Sequence, residues 1–268
     1  MYEILEKKKL AENIFSFKIK APEIAAKAKA GHFIMLRIDE KGERIPLTIA
    51  DYDKDSITLV VQVVGKTTTD LSNMKKKDKI LDLVGPLGNP SNIEDVGTVC
   101  LIAGGCGCAE LYPIAKEFKK AGNKIIVIFG ARCKSLLFWE KEFKEISDKF
   151  IVCTNDGSKG IQGFVTDALA DIIKKEKINL IIAVGPIPMM KAVSEMTRGK
   201  IPTKVSLNSI MVDGIGMCGS CRITYDGQIK FVCVDGPEFD GHKVDFDELS
   251  KRNATYKEEE NHICKLGL

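Results

Sequence analysis

Along the first hundred residues the apolar positions come in short runs, Phe15–Ile19, Phe33–Ile38 and Ile57–Val64, separated by polar or turn-forming stretches such as Asp39–Glu43. Strands of this length at close spacing predict a small antiparallel barrel. From Thr98 the pattern changes. The apolar run Val99–Ala103 leads into a Gly-rich turn and a helical stretch, Ala109–Lys120, and Lys124–Phe129 is apolar again. The alternation continues through Phe150–Cys153, Val165–Lys175, Leu180–Val184 and Met189–Thr197, which predicts a parallel sheet wound with helices. The change of pattern falls at Pro90–Gly97. Beyond about Asn208 the chain turns Gly- and Cys-rich, and a charged tail from Phe246 is expected to pack helically on a neighbour. The expected fold class is therefore β plus α/β in three parts: a barrel over 1–95, an α/β domain over 96–209, and a Cys-bearing segment with its tail over 210–268. No internal repeat or low-complexity segment interrupts this order.

Length and charge narrow the function classes. The 268 residues, 44% hydrophobic, suffice for two compact domains and an appendage. Forty Lys and Arg against thirty-seven Asp and Glu give a net charge of +3 with the signs interleaved, so no electrostatic footprint argues for nucleic acid or an anionic membrane and neither is expected as a partner. Lys75-Lys76-Lys77 reads as a solvated loop. No stretch has the form of a secretion leader or the length of a membrane span, so a cytoplasmic protein is expected. The nine cysteines are an odd number and are bunched, Cys106 with Cys108, and Cys218 with Cys221 ahead of Cys233. That usage suits reduced thiols and metal chemistry better than a disulfide framework.

The segment Asp213-Gly-Ile-Gly-Met-Cys218-Gly-Ser-Cys221, followed by Cys233 twelve residues later, offers four ligands to one inorganic centre. Plant-type [2Fe–2S] proteins space their ligands C-x4-C-x2-C…C, and here the last three positions match while Asp213 stands at the first. A carboxylate can ligate iron. Cys264 lies far into the charged tail and is not a natural substitute. Gly214, Gly216, Gly219 and Gly227 favour close approach of backbone to a cluster. A zinc site with three thiolates, or a set of buried thiols, are the other readings of the same residues.

Two Gly-rich turns carry the nucleotide signal. Leu101-Ile-Ala-Gly104-Gly105-Cys-Gly107-Cys-Ala-Glu110 sits between an expected strand and helix, where a pyrophosphate can accept backbone N–H groups. Gly185-Pro186-Ile-Pro-Met189 follows another apolar run and so falls at the same carboxyl edge of the sheet. In the barrel, Arg44-Ile45-Pro46-Leu47-Thr48 and Gly65-Lys-Thr67-Thr68-Thr69 offer a guanidinium, hydroxyls and flexible backbone to a second phosphate-bearing ligand.

Gly31-His-Phe33, Pro46-Leu-Thr48, Gly85-Pro-Leu-Gly88, Ala103-Gly-Gly-Cys-Gly107, Asp156-Gly-Ser158 and Gly185-Pro186 occur in the order of the ferredoxin–NADP reductase superfamily. Within it, nearly the whole chain resembles the electron-transfer subunits of dihydroorotate dehydrogenase. Ser206-Leu-Asn208, Met211-Val-Asp213-Gly, Met217-Cys-Gly219 and Phe231-Val-Cys-Val-Asp-Gly-Pro-Glu-Phe-Asp-Gly-His242 resemble more closely the small (alpha) subunits of NADH-dependent reduced ferredoxin:NADP+ oxidoreductases, the sulfide dehydrogenase subunit type. The dihydroorotate dehydrogenase partners usually carry Cys where this chain has Asp213.

The resemblance implies an FAD held by Pro46, Leu47 and Thr48 at the flavin, by the strand residues Val61, Gln62 and Val63, and by Thr67 and Thr68 facing phosphate. It also implies NAD(H) over Gly104–Gly107 and Gly185–Met189, and a [2Fe–2S] cluster on the C-terminal segment. The family commonly has Arg three residues before its Ser or Thr; here that position is Ile45 and Arg44 lies one residue earlier. Many relatives have Cys before Gly-Pro where this chain has Val184. The resemblance further implies hydride transfer from the nicotinamide to the flavin and release of single electrons to the cluster, with no side-chain acid or base demanded. The implied partner is a larger subunit bearing flavin and [4Fe–4S] clusters, in a heterodimer that reaches ferredoxin and bifurcates electrons. Asp156 favours NAD(H), while Lys134 and Lys159 leave NADP(H) open. The alternative functions are the dihydroorotate dehydrogenase subunit itself and a metal-stabilised nucleotide-sensing module.

Overall fold

The computed structural model describes residues 1–256, and within them β-strands of period two build the first sheet. These are β1 (Tyr2–Ala11), β2 (Ile14–Lys20), β3 (Phe33–Arg37), β4 (Ile45–Tyr52), β5 (Ser56–Gln62), β6 (Lys79–Ile80) and β7 (Asp82–Leu87), with helices α1 (Pro22–Ala25) and α2 (Lys66–Asn73) between them. The strands run antiparallel in the order β6-β1-β2-β5-β4-β3-β7. The two edge strands, β6 and β7, are separated in the chain by Leu81 alone, so the sheet curls almost shut on itself. Alternation explains the inside: Ile57, Leu59 and Val61 of β5 point inward with Phe17, Ile34, Leu36, Ile49 and Leu71. The antiparallel barrel expected of the N-terminal part is present. Gly65–Thr69, expected as flexible backbone, instead starts α2, because Thr68 Oγ1 accepts the N–H groups of Val64 and Gly65 at 3.0 Å each and caps the helix.

The second sheet is parallel in its centre. It contains β8 (Thr98–Gly104), β9 (Lys124–Ala131), β10 (Lys149–Thr154), β11 (Ile161–Gln162), β12 (Leu180–Val184) and β13 (Thr203–Ser206), connected by α3 (Cys108–Lys120), α4 (Glu140–Ile146), α5 (Val165–Lys175) and α6 (Ile187–Thr197). Helices cover both faces of such a sheet, and β8, β9 and β12 accordingly bury Val99–Ala103, Ile125–Phe129 and Ile181–Ala183 without alternation. The apolar runs read from the sequence correspond to these strands and helices within a few residues.

The C-terminal part begins with an irregular loop and a two-stranded ladder, β14 (Arg222–Tyr225) with β15 (Gln228–Phe231), followed by α7 (Val232–Asp235), β16 (Glu238–Asp240) and α8 (Phe246–Asn253). β16 pairs antiparallel with β13 and completes the order β11-β10-β9-β8-β12-β13-β16. By contact density one compact unit comprises 1–89, 208–237 and 245–256 of the described residues, and the other comprises 90–207 and 238–244. α8 does form, but it packs on this chain's own ladder: Glu248 accepts the Thr224 N–H at 2.9 Å and Arg252 donates to the Ser220 carbonyl at 3.1 Å.

Candidate functional site

In the α/β unit, the turn after β8 and the turn after β12 meet. A Cβ on Gly107 would lie 2.3 Å from the Val184 carbonyl oxygen, and one on Gly104 would lie 2.6 Å from Met189 Sδ and 2.7 Å from Pro186. Gly185 in turn sits 2.9 Å, measured from such a Cβ, from the Gly104 Cα. These glycines are therefore needed for backbone-to-backbone packing. Gly105 differs: it has φ +56° and nothing within 4 Å of a would-be Cβ. The open left-handed residue at the start of the turn is where a ligand's phosphates can approach backbone N–H groups. Cys106 and Cys108 flank this turn, and burial pushes the Cys106 thiol up to about 11 and Cys108 well above the ordinary thiol range, so both stay protonated.

Beyond the turn, the loop after β10 carries Asp156. Its Oδ1 accepts the Ser158 N–H at 2.9 Å and the Ser158 hydroxyl at 2.6 Å, and these bonds hold the carboxyl below the usual carboxylate range. The Ser158 hydroxyl also accepts the Lys134 N–H at 2.8 Å. Two neighbours carried no sequence signal of a role here. Trp139 is held at φ 55° and stacks near Tyr112 and Phe138, with ring centroids 5.2 and 5.6 Å away. Glu140 follows it and pairs with Lys159 at 2.8 Å.

In the barrel, Ile45, Pro46, Leu47 and Thr48 of β4 are all half-buried, ahead of the core residues Ile49 and Ala50. Val61 faces the core, Gln62 ends β5 half-buried, and Val63 follows with its N–H on the Asn13 carbonyl at 2.9 Å. Arg44 Nη2 lies 3.9 Å from Asp82 Oδ2, which Arg37 already binds through Nη2 at 2.5 Å. Thr67 donates to Glu43 at 3.2 Å and the Thr68 hydroxyl donates to the Gly65 carbonyl at 2.9 Å, so both hydroxyls have partners within the barrel. What the region leaves open is Gly65 at the start of α2, with no atom within 4 Å of a would-be Cβ, and Val64, which is 76% exposed. An apolar side chain beside an open helix start fits a ligand with a ring system and phosphates, as FAD has.

The iron–sulfur candidates converge on one loop of the barrel unit. Asp213 accepts the Ile215 N–H at 2.8 Å and the Cys218 N–H at 2.5 Å. Burial works against the Asp213 charge, but these backbone N–H groups together with the Cys218 thiol outweigh it and hold the carboxyl low. Burial likewise opposes ionisation of Cys218, and hydrogen bonds from Ser220 overcome it and lower that thiol. The Cys221 thiol contacts Cys233 Sγ at 3.2 Å, and burial with this contact pushes Cys233 up to about 12. The four groups thus stand in two pairs, Asp213 with Cys218 and Cys221 with Cys233. Among the described residues no three such side chains surround a single point. Two pairs are nonetheless what a binuclear cluster requires, because each iron takes two protein ligands besides its bridging sulfides. Gly214, Gly216 and Gly219 have φ +75°, +85° and +67°; a Cβ on Gly214 would strike Met35 at 2.6 Å, so the loop lies on β3 at Gly214, while Gly216 faces Val234 and Gly219 faces Phe231. Cys264 lies outside the described residues.

Residues 101–195 match the oxidoreductase NAD-binding domain family, and residues 208–245 match the iron-sulfur cluster binding domain of dihydroorotate dehydrogenase B. The chain is 54% identical to a dihydroorotate dehydrogenase B (NAD(+)) electron transfer subunit homolog of Thermotoga maritima, covering 96% of this chain and 92% of that protein. It is 30% identical to the dihydroorotate dehydrogenase B (NAD(+)) electron transfer subunit of Clostridium perfringens over 91% of this chain and 97% of that one. Among solved structures, the NADH-dependent reduced ferredoxin-NADP oxidoreductase, described for flavin-based electron bifurcation, superposes with TM-score 0.93 at 53% identity over 97% of this chain and 95% of that chain. Phthalate dioxygenase reductase shares the fold at TM-score 0.63 and 15% identity, over 94% of this chain and 79% of that one.

Proposed function

The chain belongs to the family of dihydroorotate dehydrogenase B electron transfer subunits and their homologs, and on that premise we propose that it moves electrons between NAD(H), FAD and a [2Fe–2S] cluster. The observation that carries the reading is the contact of the Cys221 and Cys233 thiols beside Asp213, which holds the Cys218 N–H, on a Gly-rich loop, in a chain whose other unit carries an open glycine at the turn after β8. When bound, the flavin supplies conversion of an electron pair into single electrons and the cluster supplies a one-electron store. The residues bind and orient. Gly105 opens the backbone to the dinucleotide pyrophosphate, and Asp156 accepts from its ribose. Val64, Gly65 and the start of α2 receive FAD alongside Ile45–Thr48, and Asp213, Cys218, Cys221 and Cys233 hold the cluster. No side chain is required to move a proton.

Asp213 favours the small subunit of an electron-bifurcating NADH-dependent ferredoxin:NADP+ oxidoreductase over the dihydroorotate dehydrogenase subunit, in which Cys is usual at that place. A one-electron centre needs a partner to discharge it. Ile215 and Met217, 49% and 83% exposed on the cluster loop, give it an apolar rim suited to a protein surface. The partner in this reading is a larger subunit with flavin and [4Fe–4S] clusters, forming a heterodimer that passes electrons to and from ferredoxin. No helix among the described residues is long and apolar enough to cross a membrane, and the cysteines described are all free thiols, which supports a reducing, cytoplasmic setting. Purification from the native source should yield a complex well above the 29.5 kDa of this chain, with a flavin spectrum and a cluster shoulder. A colourless chain, or an active monomer, overturns the reading.

A further inference from the structure

The carboxyl end of β10 lies two strands from the Gly104–Gly107 turn of β8, about 10 Å at ordinary strand spacing. A dinucleotide whose pyrophosphate sits on that turn places its adenosine ribose over this end of the sheet. The charges there decide whether the ribose can carry a 2′-phosphate. Asp156 presents a carboxylate fixed by two bonds from Ser158, and its N–H is tied to the Arg132 carbonyl at 3.2 Å. Lys159, three residues on, is the loop's own cation and the natural partner for a 2′-phosphate. Its ammonium is 2.8 Å from Glu140 Oε1 instead. Glu140 is the more buried member of that pair, its side chain 21% exposed against 48% for Lys159, and the left-handed Trp139 before it packs against Tyr112 and Phe138. Arg132 and Lys134 add exposed cations on the preceding strand end, but Lys134 meets the loop through its backbone N–H on Ser158.

We propose that Glu140 is a specificity-determining positioning residue: by occupying Lys159 it withholds the loop's own cation from a 2′-phosphate, so that the loop with Asp156 takes NAD(H) in preference to NADP(H). The inference rests on the NAD(H) reading of this unit. A half-exposed ion pair contributes little to stability, and its effect here is placement of charge: an incoming 2′-phosphate meets the carboxylates of Asp156 and Glu140 before it can recruit Lys159.

The test is equilibrium binding of NAD+ and NADP+ to the full chain carrying its FAD and cluster, followed by calorimetry and by the fluorescence of Trp139, the only tryptophan. Glu140→Gln should tighten NADP+ about tenfold while leaving NAD+ within about twofold. Adding Lys159→Gln to Glu140→Gln should abolish that gain, whereas Lys159→Gln alone should leave NADP+ as weak as before. A Glu140→Gln variant that shifts both nucleotides equally, or neither, overturns the proposal, as does a gain that survives loss of Lys159. Gly105→Val separates this from the underlying reading: if NAD+ binds that variant normally, the site itself is elsewhere and both fall.

Discussion

The two cofactor-facing backbones of this chain solve the same problem, bringing main chain close to an inorganic or phosphate group, by different means. The turn after β8 is supported by its own sheet: Gly104 and Gly107 pack against the turn after β12, and β8 and β12 are neighbouring parallel strands whose residues Val99–Ala103 and Ile181–Ala183 are wholly buried. The loop 207–221 has no ladder of its own. It rests on barrel strands β3 and β7 through Gly214, whose would-be Cβ meets Met35 and Leu87, and its proposed ligands are placed by Asp213 on backbone N–H groups and by β14 and β15 returning Cys233 to Cys221. A regular sheet edge thus tolerates an unfilled site, because its packing does not depend on the ligand. A loop that depends on ligand pairs should be stabilised by what those pairs hold.

That contrast predicts its largest effect at the cluster. Cys233→Ser should eliminate bound iron and sulfide and weaken the barrel unit's protection in hydrogen exchange over 207–235, while FAD remains bound. Asp213→Cys should retain a [2Fe–2S] cluster with a shifted potential and EPR signal, since a carboxylate oxygen is a harder and less electron-sharing ligand than a thiolate. An Asp213→Cys protein with unchanged potential and spectrum would show that Asp213 only caps the loop.

A smaller effect separates two glycines of one turn. Gly107→Ala places a methyl against the Val184 carbonyl and should destabilise the nucleotide unit by about 1–3 kcal/mol, read as a lower Tm. Gly105→Ala meets open space and should cost only about 1–2 kcal/mol for its left-handed backbone. Gly105→Val should nevertheless lower NADH affinity sharply with the fold intact. Equal loss of stability in Gly105→Ala and Gly107→Ala would remove the distinction between a packing glycine and a ligand-facing one.

The smallest effect concerns the barrel that carries the cluster loop. His32 is buried, and burial, with the charge of Lys29 adding to it, pushes its imidazole below the ordinary range; its Nδ1 accepts the Lys29 N–H at 3.1 Å and so must be unprotonated. As pH falls through about 6.5, the unfolded chain takes up a proton that the folded chain refuses, so stability held above that pH is lost below it. His32→Asn, which keeps an acceptor, should flatten the dependence of barrel unfolding on pH between 7 and 5, measured in denaturant titrations.

Local pattern made much of this legible. Unbroken apolar runs identify β8, β9 and β12 because a doubly covered strand has no solvent face to mark by polarity, whereas the Gly-rich turn after β8 reads equally as a phosphate site or as tight packing, and the structure shows Gly104 and Gly107 serving the packing while Gly105 stays open. The spacing of Asp213, Cys218 and Cys221 is likewise a property of the chain, since those residues lie on one short loop. Other features depend on which distant segments meet. The barrel closes because β6 and β7 are consecutive yet lie at opposite edges of the strand order, and β16 leaves the Cys-rich segment to pair with β13. Gly65–Thr69 reads as a turn by composition but is a helix start, because Thr68 satisfies the N–H groups of Val64 and Gly65. The pairing of Glu140 with Lys159 joins the start of α4 to the loop after β10. Periodicity along a chain reports which face of an element is buried, whereas the partner of a charge or the neighbour of an edge strand is chosen by long-range packing, and only the tertiary structure carries that choice.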